Sequence, residues 1–406
     1  MGRRIETLAS DDFEGRAPGT PGGQKASQYI ADEMERAGLS PMGDNGTYFQ
    51  NVELTEATVI ANESSMTIST IGDEQPVVDS DLKTNSVYWT KRLDETVSVE
   101  DSELVFVGYG VTAPEYGWDD YAGVDVEGKT VVMLVNGPGF ATKDEALFNG
   151  NAMTYYGRWT YKFEEAARQG AAAALIIHET APASYGWDVV SGSWTGAQYD
   201  LVRPDRGASR TALEGWLHLD AAKKVFEAAE LDYQALKNQA STKDFQAVAM
   251  GDLALNAEIK QQAVTTTSRN VAGGIVGSTH PDEYVLYMAH WDHLGKNEDL
   301  EGDDKIYNGA VDNATGTAAI LEIGEAMAQG PAPERSIIFV AVTAEESGLL
   351  GSAYYAEKPL VPLKQTVAGI NIDAMLPTGP TKDIMVKGYG ASELEDLLKA
   401  ELDTRE

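Results

Sequence analysis

The feature that most constrains this chain is an alternation in its last third, where short apolar runs flank one helical pattern. "EYVLYMA" (283–289), "RSIIFVAV" (335–342) and "VAGINI" (367–372) are rich in β-branched residues and bounded by polar ones. Runs of this kind read as strands buried on both faces. Between the first two lies "TGTAAILEIGEAMAQG", which reads as a helix capped by Thr315 and stopped at Gly330. Strand and helix in alternation predict a parallel sheet with covering helices. In such a sheet the carboxyl ends of the strands share one edge, and ligands bind outside that edge. Each run leads into a possible metal ligand: His290 after the first, Glu345 and Glu346 in "TAEESG" after the second, and Asp373 after the third. Asp312 adds a fourth position, in "NGAVDNATG" just before the helix. Imidazole with several carboxylates, and no sulfur, suits Zn²⁺ or a similar divalent ion. Carboxylates gathered at one edge repel one another unless a cation lies between them.

Composition narrows the classes further. A chain of 406 residues is longer than one domain usually needs, so two domains are expected. The net charge of −33 argues against a nucleic-acid partner, because phosphate binding needs a basic surface. Cysteine is absent, which excludes disulfides, thiolate metal sites and cysteine nucleophiles. No stretch has the apolar length of a membrane-spanning helix. The opening "MGRRIETLAS" lacks an apolar signal core, which fits either a cytosolic protein or one whose signal segment has been removed.

The first segment contains a helix in "GTPGGQKASQYIADEMERAGLSP", running from Pro21 to Gly38, with Thr20 as its cap and Pro21 at its first position. Ala26, Tyr29, Ile30, Met34 and Ala37 form its apolar stripe, and Gly38 ends it. The stripe needs a partner that the short first segment does not supply. Residues 1–95 and 252–406 are therefore expected to form one discontinuous domain around residues 96–251. That middle block holds strand-like "SELVFVGYGV", "KTVVMLV" and "AAAALIIH" and a helical "YKFEEAARQG". "GGIVGS" (273–278) lacks the spacing of a phosphate loop and reads as turns.

"AHWDHLG", "NGAVDNATG", "VTAEESGLLGS" and "INIDAM" together resemble, in order and spacing, the motifs of the co-catalytic di-zinc aminopeptidases. Relatives of that family include glutamate carboxypeptidase, glutaminyl cyclase and the transferrin receptor ectodomain. "LASDDFEGRAPGTPGGQKASQYIADEMERAGLSPMG" and "YFQNVEL" resemble the start of its secreted bacterial members, and the middle block resembles their protease-associated insertion. The resemblance implies an α/β zinc-exopeptidase fold with a mixed, largely parallel central sheet flanked by helices, plus an inserted β-rich protease-associated domain at 96–251. It implies two Zn²⁺ ions, peptide substrates and a secreted or periplasmic location. His290 and Asp373 would bind the first zinc, Asp312 would bridge both and Glu346 would bind the second. Glu345 would be the general base, taking a proton from the attacking water and passing it to the leaving amine. Asp292 would hold the far nitrogen of His290, and Asp312–Asn313 would carry the cis peptide found in relatives.

One departure bears on the second zinc. Relatives take its last ligand from a histidine in a later "SDH"-like motif, but no histidine follows His293 here, which reads as a C-terminally truncated chain. His293 itself reads as a loop or supporting residue, with substitution for the later histidine as the alternative, and His178 and His218 read as structural. Within enzymes the alternatives are a metallo-carboxypeptidase or a single-zinc glutaminyl cyclase. Outside enzymes the alternative is a receptor-like binding protein of the same fold. Oligomeric state and preferred residue are not legible in the sequence.

Overall fold

A computed structural model describes the chain except residues 152, 299–301, 377, 380, 382–383, 387–391 and 405–406. The described residues form two compact units. The first comprises Met1–Thr55, Tyr199–Val202 and Thr265–Asp383, and the second comprises Glu56–Gln198, Arg203–Val264 and Ile384–Glu406. The chain thus returns to its first unit near residue 265, and leaves it near residue 55. The sequence reading placed those boundaries near 252 and 95. The difference has a physical cause in strand pairing. Ser65–Thr70 pairs with residues 253–258 of the long strand Val248–Ile275, and Ser86–Trp89 pairs with Leu213–His218. Both short strands are thereby built into the sheet of the second unit.

In the first unit, the three strands read from the sequence lie side by side. His280–His290 is parallel to Arg335–Val342 on one side and to Thr366–Asn371 on the other. Arg335–Val342 then pairs antiparallel with residues 271–275. His290 stands opposite Val342, and Met288 opposite Asn371, so the carboxyl ends of all three strands reach one edge. The period of two along the central strand explains its continuous apolar run. Ile337, Phe339 and Ala341 face one cluster with Ile30, Met34, Ile320 and Leu321, while Ile338, Val340 and Val342 face another with Leu286, Tyr355 and Val361. The first cluster is the seat of two helices, Pro21–Arg36 and Thr315–Gln329. Thr20 caps the first of these as expected, its Oγ1 accepting from the Gly23 amide at 3.1 Å.

Gly273 and Gly274 lie inside the strand and not in turns as the sequence reading had them. A Cβ on Gly273 would stand 3.1 Å from Met34 Sδ, and one on Gly274 would stand 2.9 Å from Met42 Cγ. The glycines let helix and chain sit close against the sheet, a packing demand that looks like turn chemistry in the sequence.

The second unit has its own core. Thr96–Phe106, Thr130–Leu134, Ala173–His178 and Leu213–His218 form consecutive parallel pairs. Helices Trp159–Arg168 and Leu219–Ala228 supply Phe163 and Ala166 to one cluster and Val225 and Phe226 to another. The expected β-rich block is therefore a helix-flanked α/β layer in this part, because its helical runs have amphipathic faces that bury on the sheet. No described helix is long and apolar enough to cross a membrane.

Candidate metal centre

The site is built at the carboxyl edge of the first unit's sheet. His290 ends its strand and is almost fully buried. Its backbone carbonyl accepts from Thr317 Oγ1 at 2.8 Å, which ties the strand end to the helix Thr315–Gln329. The imidazole Nδ1 lies 3.1 Å from the backbone carbonyl of Asp292 and 3.8 Å from that residue's carboxylate. The carbonyl, and not the expected carboxylate, therefore fixes the ring. The opposite nitrogen, Nε2, stands 3.0 Å from Asp312 Oδ1, 3.4 Å from Asp373 Oδ1 and 3.9 Å from Glu345 Oε2. Despite those distances it is a buried nitrogen with no partner in hydrogen-bond geometry. A buried imidazole nitrogen facing convergent carboxylates fits the donor set of a divalent cation.

The buried Asp292 carboxylate has a different task from the one expected. Its Oδ1 accepts from the Glu345 amide at 3.1 Å and its Oδ2 from the Glu346 amide at 3.4 Å. This holds the turn after Val342, where Ala344 takes a left-handed φ of 52°. Burial pushes the Asp292 carboxyl up to about 6, against the pull of His290 and the Glu345 amide.

Asn313 is the matching brace on the other side. The Asp312–Asn313 peptide is cis. The buried Asn313 side chain donates to the Ile372 carbonyl at 3.0 Å and accepts from the amides of Gly316 at 2.8 Å and Ala374 at 3.2 Å. It thus links the start of the helix to the residues on both sides of Asp373. Asn313, and not Thr315, takes the amide in the helix's first turn. The Thr315 hydroxyl instead donates back to Val311 and accepts from the Met375 amide.

Among the described residues, two groups of three emerge. The ligand atoms of His290, Asp312 and Asp373 lie within 4.8 Å of one another, and so do those of His293, Asp312 and Glu346. Asp312 belongs to both groups and Glu345 to neither. Every site residue expected from the sequence is brought to this edge. His293, the alternative substitute, joins them, with Nδ1 2.6 Å from Glu346 Oε1. The only hint in the sequence is its position three residues after His290 in "HWDH".

Electrostatics follow from the crowd of carboxylates. Burial pushes the Glu345 carboxyl up to about 7; His290 opposes this, while Asp292, Glu346 and Asp373 add to it. Burial alone would lower the His290 imidazole, but Asp312 and Asp373, then Asp292 and Glu345, push it up to about 11.

Arg16 was not singled out by the sequence reading. It lies in "FEGRAPGT" with a left-handed φ of 53° and is almost fully buried. Its guanidinium donates to four backbone carbonyls: Leu8 and Asn308 at 2.6 Å, Trp291 and Gly309 at 2.9 Å. It clamps the loop between His290 and His293 to the loop leading into Asp312. Burial pulls it down to about 10, countered by the charges of Asp292, Asp312 and Glu346.

The remaining histidines of interest belong to the second unit. His178 sits among Tyr185, Trp187 and Trp216, with Nε2 3.1 Å from the Tyr185 carbonyl. His218 caps the helix Leu219–Ala228, its Nδ1 accepting from the Asp220 amide at 3.2 Å. Both have the structural roles expected.

Residues 270–405 match the model of Peptidase family M28. Over that stretch the chain is similar to that family. The matched segment contains every residue of both three-member groups. Among curated proteins, aminopeptidase NAALADL1 of Mus musculus is 42% identical over 113 residues, covering 26% of this chain and 14% of that protein. A glutamate carboxypeptidase 2 homolog of Caenorhabditis elegans is 34% identical over 127 residues, covering 30% of this chain and 15% of that one. The chain thus spans about one-seventh of the length of these curated relatives. Among solved structures, the aminopeptidase from Aneurinibacillus sp. strain AM-1 aligns over 92% of this chain and 69% of its own, at 21% identity and a TM-score of 0.45.

Proposed function

We propose that the M28 edge is the hydrolytic centre of a zinc-dependent exopeptidase, most simply an aminopeptidase removing N-terminal residues from peptides. The observation that carries this reading is the pair of three-residue groups sharing Asp312, with Glu345 beside them and in neither. His290, Asp312 and Asp373 would hold one ion, and Asp312 and Glu346 a second. Bound zinc supplies Lewis acidity and makes water acidic enough to ionise near neutral pH. The protein's part is positioning and proton transfer. Asp292 holds the Glu345 amide, so the Glu345 carboxylate projects from a fixed turn. From that position Glu345 would take a proton from the attacking water at its carboxylate oxygen and pass it to the leaving amine. A free α-amine on the substrate is cationic and is attracted to the surrounding carboxylates. Finer parts of the same reading are a secreted location and a protease-associated role for the second unit, which rest on resemblance in its sequence.

The carboxypeptidase names among the relatives support a second specificity, removal of a C-terminal residue. The second three-residue group argues against a single-zinc cyclase. A zinc-loaded protein assayed on one peptide in three forms separates these readings: free at both ends, blocked at the N-terminus, and blocked at the C-terminus. Loss of turnover on N-terminal blocking alone is expected. Loss on C-terminal blocking alone favours the carboxypeptidase, and no turnover of any of the three forms by zinc-replete protein refutes the exopeptidase reading.

A further inference from the structure

We infer that Asn270 is a positioning residue for Glu345, its side chain clasping the neck of the loop that carries Glu345 and Glu346. The inference rests on the exopeptidase reading above and deepens it. Residues 271–275 pair antiparallel with Arg335–Val342, and the pair nearest the site is Val271 opposite Ala341. One residue beyond, the Asn270 side chain takes the place of a partner strand. Its Oδ1 accepts from the Thr343 amide at 3.0 Å, and its Nδ2 donates to the Gly351 carbonyl at 2.9 Å. One side-chain amide thus holds both ends of the loop 343–351. The two ends also bond to each other, the Gly351 amide donating to the Thr343 carbonyl at 2.9 Å. Glu345 and Glu346 lie in the loop so closed.

The clasp is fully buried and its orientation is fixed. The Asn270 oxygen and both amide hydrogens are in use, because Nδ2 also donates to Gln50 Oε1 at 2.9 Å. Gln50 in turn donates to the Lys358 carbonyl at 2.7 Å. A Cβ on Gly351 would fall 2.6 Å from Asn270 Oδ1, so glycine there permits the close approach of the neck. Beside it the buried Thr343 hydroxyl lies 2.6 Å from Ser268 Oγ. Within the loop, Ala344 and Leu349 take left-handed φ values of 52° and 64°. Such conformations persist only where the surroundings hold them. Asp292 holds the loop at the amides of Glu345 and Glu346, and Asn270 holds it at the neck. The effect of Asn270 on turnover therefore passes through the loop. A displacement of about 1 Å at a reacting group costs roughly 10²-fold in rate.

The test is a double-mutant cycle on the whole zinc-loaded chain, with a peptide free at both ends as substrate. Asn270→Leu is of similar size and removes the acceptor and both donors. At saturating zinc its kcat should fall about 10–100-fold, with KM within about twofold of wild type. In the Glu345→Gln background the same substitution should cost less than about threefold, because the group it positions has already lost its function. An equal loss in both backgrounds would overturn the assignment. Normal kcat once zinc is saturating would also overturn it, placing the effect on Glu346 and its ion. Ser268→Ala loosens the same neck and keeps Asn270, so it should give the same pattern at smaller size even where Asn270→Leu does not fold. Hydrogen exchange of the metal-free protein reads the clasp without turnover. The amides of Thr343 and Gly351 should exchange faster in either variant, and unchanged exchange at both would overturn the clasp. Zinc-loaded wild type that hydrolyses no peptide would refute the exopeptidase reading, and the role of Asn270 toward Glu345 with it, while the exchange result still decides the clasp.

Discussion

Replacing Arg16 with Met is expected to loosen the metal-binding loops more than any substitution of an exposed site residue. The guanidinium donates to four carbonyls on three separate stretches of chain, and two of those bonds, to Leu8 and Trp291, are fully buried. A hydrogen bond from a charged donor is worth about 1.5–3 kcal/mol, so losing the two buried ones costs roughly 3–6 kcal/mol gross. The two partly buried carbonyls can turn to water, and the burial cost of the guanidinium is recovered, so a net loss of about 2–4 kcal/mol is expected. Arg16→Lys should restore only part of it, because one ammonium lacks the planar fork. Hydrogen–deuterium exchange, read at residues 290–293 and 308–313, should accelerate in Arg16→Met while the second unit's sheet at 173–178 is unchanged. Zinc affinity, measured against a competing chelator, should fall by roughly 10–100-fold, as for other residues that orient ligands without touching the ion. Unchanged exchange in both loops, with stability within about 0.5 kcal/mol of wild type, would refute the clamp.

Three further outcomes are expected. Glu345→Gln should lose roughly 10²–10⁴-fold in turnover with zinc content near normal, whereas Glu346→Gln should lose metal; normal turnover in the Glu345 variant would remove its proton-transfer role. Gly351→Ala should destabilise the first unit by about 2–4 kcal/mol in urea unfolding, because its Cβ would stand 2.2 Å from the Thr343 carbonyl and 2.6 Å from Asn270 Oδ1. Bonds from Arg36 and then Arg4 hold the Glu33 carboxyl down at about 2 against its burial. Its folded value lies below its unfolded value of 4.5, so its contribution to stability is full above pH 4.5 and is lost as pH falls toward 2. Glu33→Gln should flatten the stability profile across that window.

Much of the first unit was legible because its strands are buried on both faces and its helices are amphipathic. Ile337 to Val342 announce a central strand, and Thr20–Pro21 announce a helix start, by local chemistry alone. Charges at strand ends, such as Glu345 and Asp373, stand out against those apolar runs. Other features depend on partners far away in sequence. The sheet membership of Ser65–Thr70 and Ser86–Trp89 is decided by pairing with residues near 255 and 215. Gly273 and Gly274 resemble turn residues until Met34 and Met42 are placed against them. Arg16 gives no periodic signal, since its partners are all backbone carbonyls. His293 looks like loop decoration because Glu346, 53 positions later, gives it its place.

The central claim is that the carboxyl edge of the first unit's sheet is a metal centre built around Asp312. The most direct measurement is anomalous scattering at the zinc edge from crystals of the zinc-loaded protein. The account predicts one peak among His290, Asp312 and Asp373 and another among His293, Asp312 and Glu346. Zinc-loaded crystals without an anomalous peak at Asp312 would contradict it.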